Sequence, residues 1–196
     1  MKIRLSWVNH ILLGAIIAVN LYLVILPVLP ALLFKVNQHG PNSFAHLTQK
    51  LAGVPAPKLP AAAPTANELI IPIMQYDQPI IEGKTIRALH YGPWREPLSS
   101  TPPAGGNTVI AGHRFTYTNP RGTFYYLNKL HIGDQIGIIW QGRTYHYTVA
   151  ATEVVPPSDT SVEAPTARAQ LTLYTCTPLW LPKNRLVVVA NLESTT

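Results

Sequence analysis

Polar and apolar residues follow three different rhythms along this chain. From Ile11 to Phe34 the run ILLGAIIAVNLYLVILPVLPALLF carries no charge, and Asn20 is its one strongly polar residue. The run is about 24 residues long, against about 20 needed to cross a bilayer core. Its apolar character goes all the way round instead of along one stripe, unlike a surface helix of a soluble protein. A membrane-spanning helix over 11–34 is predicted, and Pro27 and Pro30 are better tolerated there than in a soluble helix. The run exceeds the roughly 7–15 residue core of a cleaved signal peptide, and no small-x-small site closes it, so an uncleaved anchor is expected.

The second rhythm is that of a spacer. Residues 35–67 read as a linker whose second half, AGVPAPKLPAAAPTAN, is rich in Ala and Pro and can bury little side chain. Such sequence tends toward extended, semi-stiff geometry or plain disorder.

From Glu68 to the end the rhythm is that of short strands. LIIPIM at Leu69–Met74 opens this domain, and Thr85–Tyr91 reads as one or two helical turns. Thr108–Gly112 is a compact apolar strand, and Phe124–Leu130 places Phe124, Leu127 and Leu130 at helical spacing. Gln135–Trp140 and Arg143–Val155 flank Gln141-Gly142 as a hairpin. A polar loop over Pro156–Ala169 leads to a strand at Gln170–Thr175, and a second loop leads to the strand RLVVVANL at Arg185–Leu192. Many short strands with little helix predict a closed or nearly closed β-barrel over 68–196.

Charge sharpens this division. Five of the 15 Lys and Arg precede Glu68, where there is no acidic residue, and all 9 Asp and Glu lie from Glu68 onward. The net charge of +6 therefore belongs mostly to the membrane-proximal part. The barrel region has no basic run, which argues against nucleic-acid binding. Lys2 and Arg4 favour a cytoplasmic N-terminus, residues 1–10, by the positive-inside rule, with the domain outside.

Cys176 is the single cysteine, so an internal disulfide and any zinc site of several thiolates are excluded. It follows the strand LTLYT and precedes a loop, a setting in which a rigid element presents a reactive group. A lone cysteine is more often an inert buried thiol. His113 ends a second apolar strand, and a nearby imidazole can take or return a thiol's proton. Gly112 before it suggests a close backbone approach or a special turn. Arg185 opens the strand after the Cys176 loop, so a short excursion can bring its guanidinium back to hold a thiolate, a carbonyl or an oxyanion. Of the other histidines, His131 and His146 fit helix-end and strand-face positions. His10, His39, His46 and His90 join no constellation.

Taken together these motifs resemble the sortase family. TLYTC at Thr172–Cys176 is similar to the family's TLxTC signature, and Arg185 stands where its arginine stands. IAGHR at Ile110–Arg114 is similar to the strand ending in the family's histidine, and FYYLNKLHIGD at Phe124–Asp134 resembles another of its segments. The resemblance covers about Leu69 to Leu192, with TCTP at Thr175–Pro178 nearer to classes D and E than to class A.

The resemblance implies an eight-stranded β-barrel with short helices. It implies a transpeptidase that cuts a C-terminal LPxTG-like sorting signal between Thr and Gly. Cys176 would form the thioacyl intermediate, His113 would be acid and base, and Arg185 would be the cationic partner. The acceptor would be an amine on a cell-wall precursor or a pilin. Thr175, Val162 in the Pro156–Ala169 loop, and Tyr117 would contact substrate. No metal or cofactor is expected, and Glu153, Asp159 and Glu163 are too scattered in sequence for a calcium site. Three other readings stay open: an L,D-transpeptidase, disfavoured because its cysteine sits in an SxGC-like context; a non-catalytic membrane-tethered barrel that binds a surface partner; and a hydrolase that releases its acyl-enzyme to water.

Overall fold

The computed structural model describes residues 5–36, 43–52 and 66–196. Lys2 and Arg4, and the Ala/Pro-rich part of the expected linker at 53–65, lie outside the described residues. The apolar run forms α1 (Leu5–Val36), whose stretch Trp7–Leu29 has a mean hydropathy of 2.6 and is almost wholly exposed. That is long and apolar enough to cross a membrane. The expected span of 11–34 lies within α1, and neither Pro27 nor Pro30 ends it. Asn20 donates its amide to the Ile16 carbonyl at 2.8 Å, so this polar group is satisfied by its own helix.

Inside the stretch read as a spacer lies a second helix that the sequence did not announce, α2 (Phe44–Leu51). Ser43 caps it by accepting from the His46 backbone N–H at 3.3 Å. Leu47 and Leu51, four residues apart and so on one face, are buried against Ile70 and the half-buried Ile139. Lys50 reaches from the same helix to Glu68 at 2.7 Å and Asp77 at 2.9 Å. Gly137 makes room for this docking, because a Cβ there would overlap Leu51 Cδ2. Replacing the fully buried Leu47 by alanine is therefore expected to cost about 2–5 kcal/mol, read as a lower denaturant midpoint. An unchanged midpoint would mean that α2 contributes nothing to the folded domain.

The rest is one sheet. In chain order its strands are β1 (Glu68–Ile71), β2 (Tyr76–Pro79), β3 (Ile81–Glu82), β4 (Trp94–Arg95) and β5 (Asn107–Ala111), then β6 (Gln135–Trp140), β7 (Arg143–Val155), β8 (Gln170–Thr177) and β9 (Asn184–Thr195). Their spatial order is β2-β1-β6-β7-β9-β8-β5-β4-β3. The two edge strands are neighbours in sequence, with only Ile80 between them. The Ile80 N–H donates to Asn67 on the β1 side at 2.7 Å, and the Ile81 N–H donates to Pro93 on the β4 side at 2.8 Å. This shared stretch draws the two edges together, so the sheet curls into a nearly closed, mostly-strand barrel. Counting β2 and β3 as one interrupted strand gives the expected eight. The hairpin between β6 and β7 turns on Gln141 and Gly142, both at positive φ of 50° and 83°, as a two-residue turn of the primed kind requires.

Phe124, Leu127 and Leu130 are all buried, yet only Leu127–Lys129 is helical, as a 3-10 turn. Their spacing of three suits the 3-10 helix better than the α-helix. Residues of alternate parity divide between two apolar clusters. Ile110, Leu171, Leu173 and Val188 join the barrel core, and Val109, Ala111, Tyr174 and Val187 join a second cluster on the outer face. The 3-10 turn Ile86–His90 and Val162 cover that outer cluster through the half-buried Ala88, Leu89 and Val162.

Candidate active site

Strand alternation decides where the candidate residues point. Successive side chains on a strand face opposite sides. Val109 and Ala111 are on the outer face, so His113 two residues on continues their series. Tyr174 is on the same face and puts Cys176 there, and Val187 puts Arg185 there. Sheet register then relates their positions. Cys176 and Arg185 are direct partners across β8 and β9. β5 runs parallel to β8 with Ala111 opposite Tyr174, and the Gly112 N–H donates to the Tyr174 carbonyl at 3.0 Å. Two residues beyond Tyr174 stands Cys176, still on β8, and two residues beyond Ala111 stands His113, just past the end of β5. Cys176 and Arg185 are therefore cross-strand neighbours, and His113 leaves the adjacent strand β5 at the same end.

Cys176 is exposed and is the next-to-last residue of β8, which runs on to Thr177. His113 is half-buried, and its Nε2 is shut off from solvent with no hydrogen-bond partner. Burial lowers its pKa below the ordinary imidazole value, and the neighbouring His90 lowers it further. The Phe124 N–H donates to the His113 carbonyl at 2.8 Å and fixes the backbone there. A Cβ at Gly112 would come within 2.5 Å of the Phe124 ring, so the glycine before His113 marks a close approach.

Arg185 is held on two sides. Its Nη1 donates to Glu163 Oε1 at 3.1 Å, and its guanidinium lies over the Tyr174 ring, 4.9 Å from the centroid. The Tyr174 hydroxyl in turn donates to Glu96 Oε1 at 2.8 Å. Burial raises the Glu96 carboxyl above its ordinary value; the Tyr174 bond opposes that, and Glu163 adds to it. Burial, and then Glu96, raise the Tyr174 phenol. Tyr174 stays a neutral donor and gives Arg185 a fixed aromatic floor.

The other expected residues are placed differently. Thr175 is 1% exposed and turns inward, its Oγ1 without a partner, so only its backbone lies beside Cys176. Val162 is half-buried on the outer cluster, next to Glu163. Tyr117 is exposed and packs edge-on against Phe115 at 5.1 Å. Among the described residues no hydrogen bond, ion pair or ring contact joins Tyr117 to Cys176, His113 or Arg185. Sequence reasoning set His90 aside as joining no constellation, whereas its ring lies against that of His113; it passed over Tyr174 and Glu96, and considered Glu163 only for calcium. Tyr174 was within reach, since it lies two residues before Cys176 and so shares its face. His90 and Glu96 come from distant segments and carry no local signal. Among the described residues no three His, Cys, Asp or Glu side chains gather as a cation site.

The sortase domain family model matches residues 69–193 of the chain. Sortase SrtE1 of Streptomyces coelicolor is 37% identical over 92 residues, 42% of this chain and 25% of that protein. Sortase D of Bacillus subtilis is 28% identical over 120 residues, 61% of this chain and 58% of that protein. The chain thus spans 25% and 58% of the length of these two relatives. The crystal structure of sortase E1 from Streptomyces coelicolor with a tripeptide in the active site aligns at a TM-score of 0.59 and 30% identity, covering 66% of this chain and 88% of that one. The matched family region takes in nearly the whole barrel, from β1 into β9, and the chain belongs to the sortase family.

Proposed function

We propose that the chain is a cysteine transpeptidase that exchanges one amide for another on proteins bearing a C-terminal sorting signal. The observation that supports this reading is the register: Cys176 and Arg185 are direct partners across β8 and β9, and His113 follows the end of β5, the strand paired with β8 on its other side. Cys176 is the nucleophile. Its Sγ gives up its proton to the neutral His113 and bonds to the Thr carbonyl carbon of an LPxTG-like signal. The Thr–Gly C–N bond breaks, and the His113 imidazolium returns the proton to the leaving amine. A thioester remains on Cys176. An incoming amine then loses a proton to His113, attacks the thioester and releases the thiolate, which recovers that proton. Dividing one amide exchange into two covalent steps is the gain of such a mechanism. Arg185 serves the carbonyl oxygen as negative charge develops on it.

The groove for the signal lies on the outer face, along the cover of the second cluster. Val162 contributes apolar surface on one side, Tyr117 closes the other, and the Thr175 backbone lies beside the scissile carbonyl. The resemblance to a sortase E1 and a sortase D supports a class D or E assignment. The acceptor is an amine on a cell-wall precursor or a pilin. The protein is a single-pass membrane protein. Residues 1–10 are cytoplasmic, 11–34 span the membrane, 35–67 form the tether with α2 resting on the barrel, and the catalytic domain over 68–196 faces outward. The net basic N-terminal segment supports that orientation.

Incubating the protein with LPxTG-like peptides, with and without a small amine, tests the reaction class by mass spectrometry. Expected are a thioester adduct at Cys176, cleavage between Thr and Gly, and a new amide that appears only with the amine. Products carrying water alone at every amine concentration would make the protein a hydrolase. Failure to trap an adduct across a broad peptide library would favour a non-catalytic binding protein.

A further inference from the structure

His90 ends the 3-10 turn Ile86–His90 and is exposed, while the ring it faces, His113, is half-enclosed. The two ring centroids are 5.4 Å apart with planes inclined at 35°. No hydrogen bond joins the rings, so any coupling passes through charge and not through proton transfer. The placement is held from both sides. The Tyr91 N–H donates to Ala88 at 3.0 Å, closing the turn, and the Asn119 side chain donates to the Tyr91 carbonyl at 3.0 Å. That second bond ties the turn to the loop that follows His113.

Other charged groups stand on the elements around His113. Arg114, next in sequence, donates to Asn128 at 2.7 Å, and Arg185 on β9 is paired with Glu163. Arg87 lies on the exposed side of the turn that carries His90, and Cys176 on β8 is the reacting partner itself. Among the described residues, His90 is the ionisable ring in direct ring contact with His113.

We propose that His90 acts through His113 as an electrostatic positioning residue: its charge decides how acid the medium must become before His113 takes up its proton. This rests on the reading of His113 as the acid and base. Imidazole is the side chain that changes charge between about pH 5 and 8. A positive charge on the solvent-facing ring repels the proton that the enclosed ring would take up. His113 thus stays neutral, and able to accept the Cys176 proton, further into the acid range than it would alone. Desolvation acts in the same direction, so the test must separate charge from burial.

The full chain in detergent micelles, with labelled histidine rings, allows His113 to be titrated by NMR without any turnover. In H90Q the His113 titration is expected to move to higher pH. H90K restores a positive charge without a ring and is expected to return it close to the wild-type position. High salt is expected to shrink the gap between H90K and H90Q, because screening weakens a partly exposed charge pair. The acid limb of kcat/KM should follow the same order, with H90Q losing activity at a higher pH than the other two. An unmoved His113 titration in H90Q overturns the proposal, and so does an H90K that behaves like H90Q, since lost packing alone would then explain the shift. If the titration moves and the acid limb does not, His90 keeps its hold on His113, and the acid/base role of His113 falls instead.

Discussion

Replacing Cys176 by alanine is expected to abolish the thioester adduct and to lower peptide cleavage by on the order of 10⁴–10⁶-fold, the scale seen when a catalytic nucleophile is removed. The fold should not notice. Cys176 is exposed near the end of β8, and no core contact depends on its sulfur. Stability is therefore expected to stay within about 0.5 kcal/mol of the parent, as for most surface substitutions. That separation is what makes the variant informative, because a dead protein with an unchanged unfolding midpoint has lost chemistry and not structure. Cys176→Ser should be nearly as inactive, since the nucleophile is the thiolate and a hydroxyl is far harder to ionise. If the alanine variant keeps both cleavage and every cellular phenotype, the barrel is a binding module.

The strand pattern of the barrel was legible because most strands are punctuated by Gly, Pro or polar loops. Gln135–Trp140 and Arg143–Val155 fall where the alternation and the Gln141-Gly142 turn put them. Elsewhere the pattern is silent about facing. All five residues of β5 are buried, because its outer side is covered by the second apolar cluster. A strand buried on both faces shows no alternation, so the sequence could not say which face carried His113. The nearly closed barrel itself was expected from strand number, but the device that closes it, Ile80 between two edge strands, depends on hydrogen bonds far apart in sequence. Helix α2 escaped notice because its apolar face amounts to Leu47 and Leu51, too little to stand out in a stretch otherwise polar and bordered by prolines.

For the site, local motifs pointed to Cys176, His113 and Arg185; the register pairs Cys176 with Arg185, and His113 follows the end of the neighbouring strand β5. Their supports were not legible. Glu163 lies in a polar loop where an acidic residue reads as solvated, and only the fold brings it to Arg185 at 3.1 Å. Glu96 follows a two-residue strand and reaches Tyr174 across the outer face. Thr175 shows the opposite lesson. Its place next to the nucleophile suggested a contribution through its hydroxyl or its backbone, and strand alternation sends the side chain inward and leaves the backbone.

Those supports shape the second large expected effect. Arg185→Lys keeps the charge and is nevertheless expected to lower kcat/KM by about 10²–10³-fold, the range for losing one donor to a developing oxyanion. Guanidinium has five N–H donors in a flat fork, and Glu163 engages it through Nη1. The cation lies over the Tyr174 ring, and in the proposed mechanism one of the remaining donors serves the carbonyl oxygen. An ammonium on a flexible stem cannot lie on the ring, keep Glu163 and offer a fixed second donor at once. The loss should appear mainly in kcat, because the oxygen becomes fully negative only in the transition state. Stability should change little, since the Arg185–Glu163 pair has side-chain exposures of 26% and 32%, and exposed ion pairs contribute about 0–1 kcal/mol. A lysine variant with raised KM and unchanged kcat would make Arg185 a substrate clamp, and wild-type kinetics would remove it from the site. Tyr174→Phe keeps the aromatic floor and frees Glu96, so it should retain more activity than Tyr174→Leu, which takes the floor away from under the guanidinium.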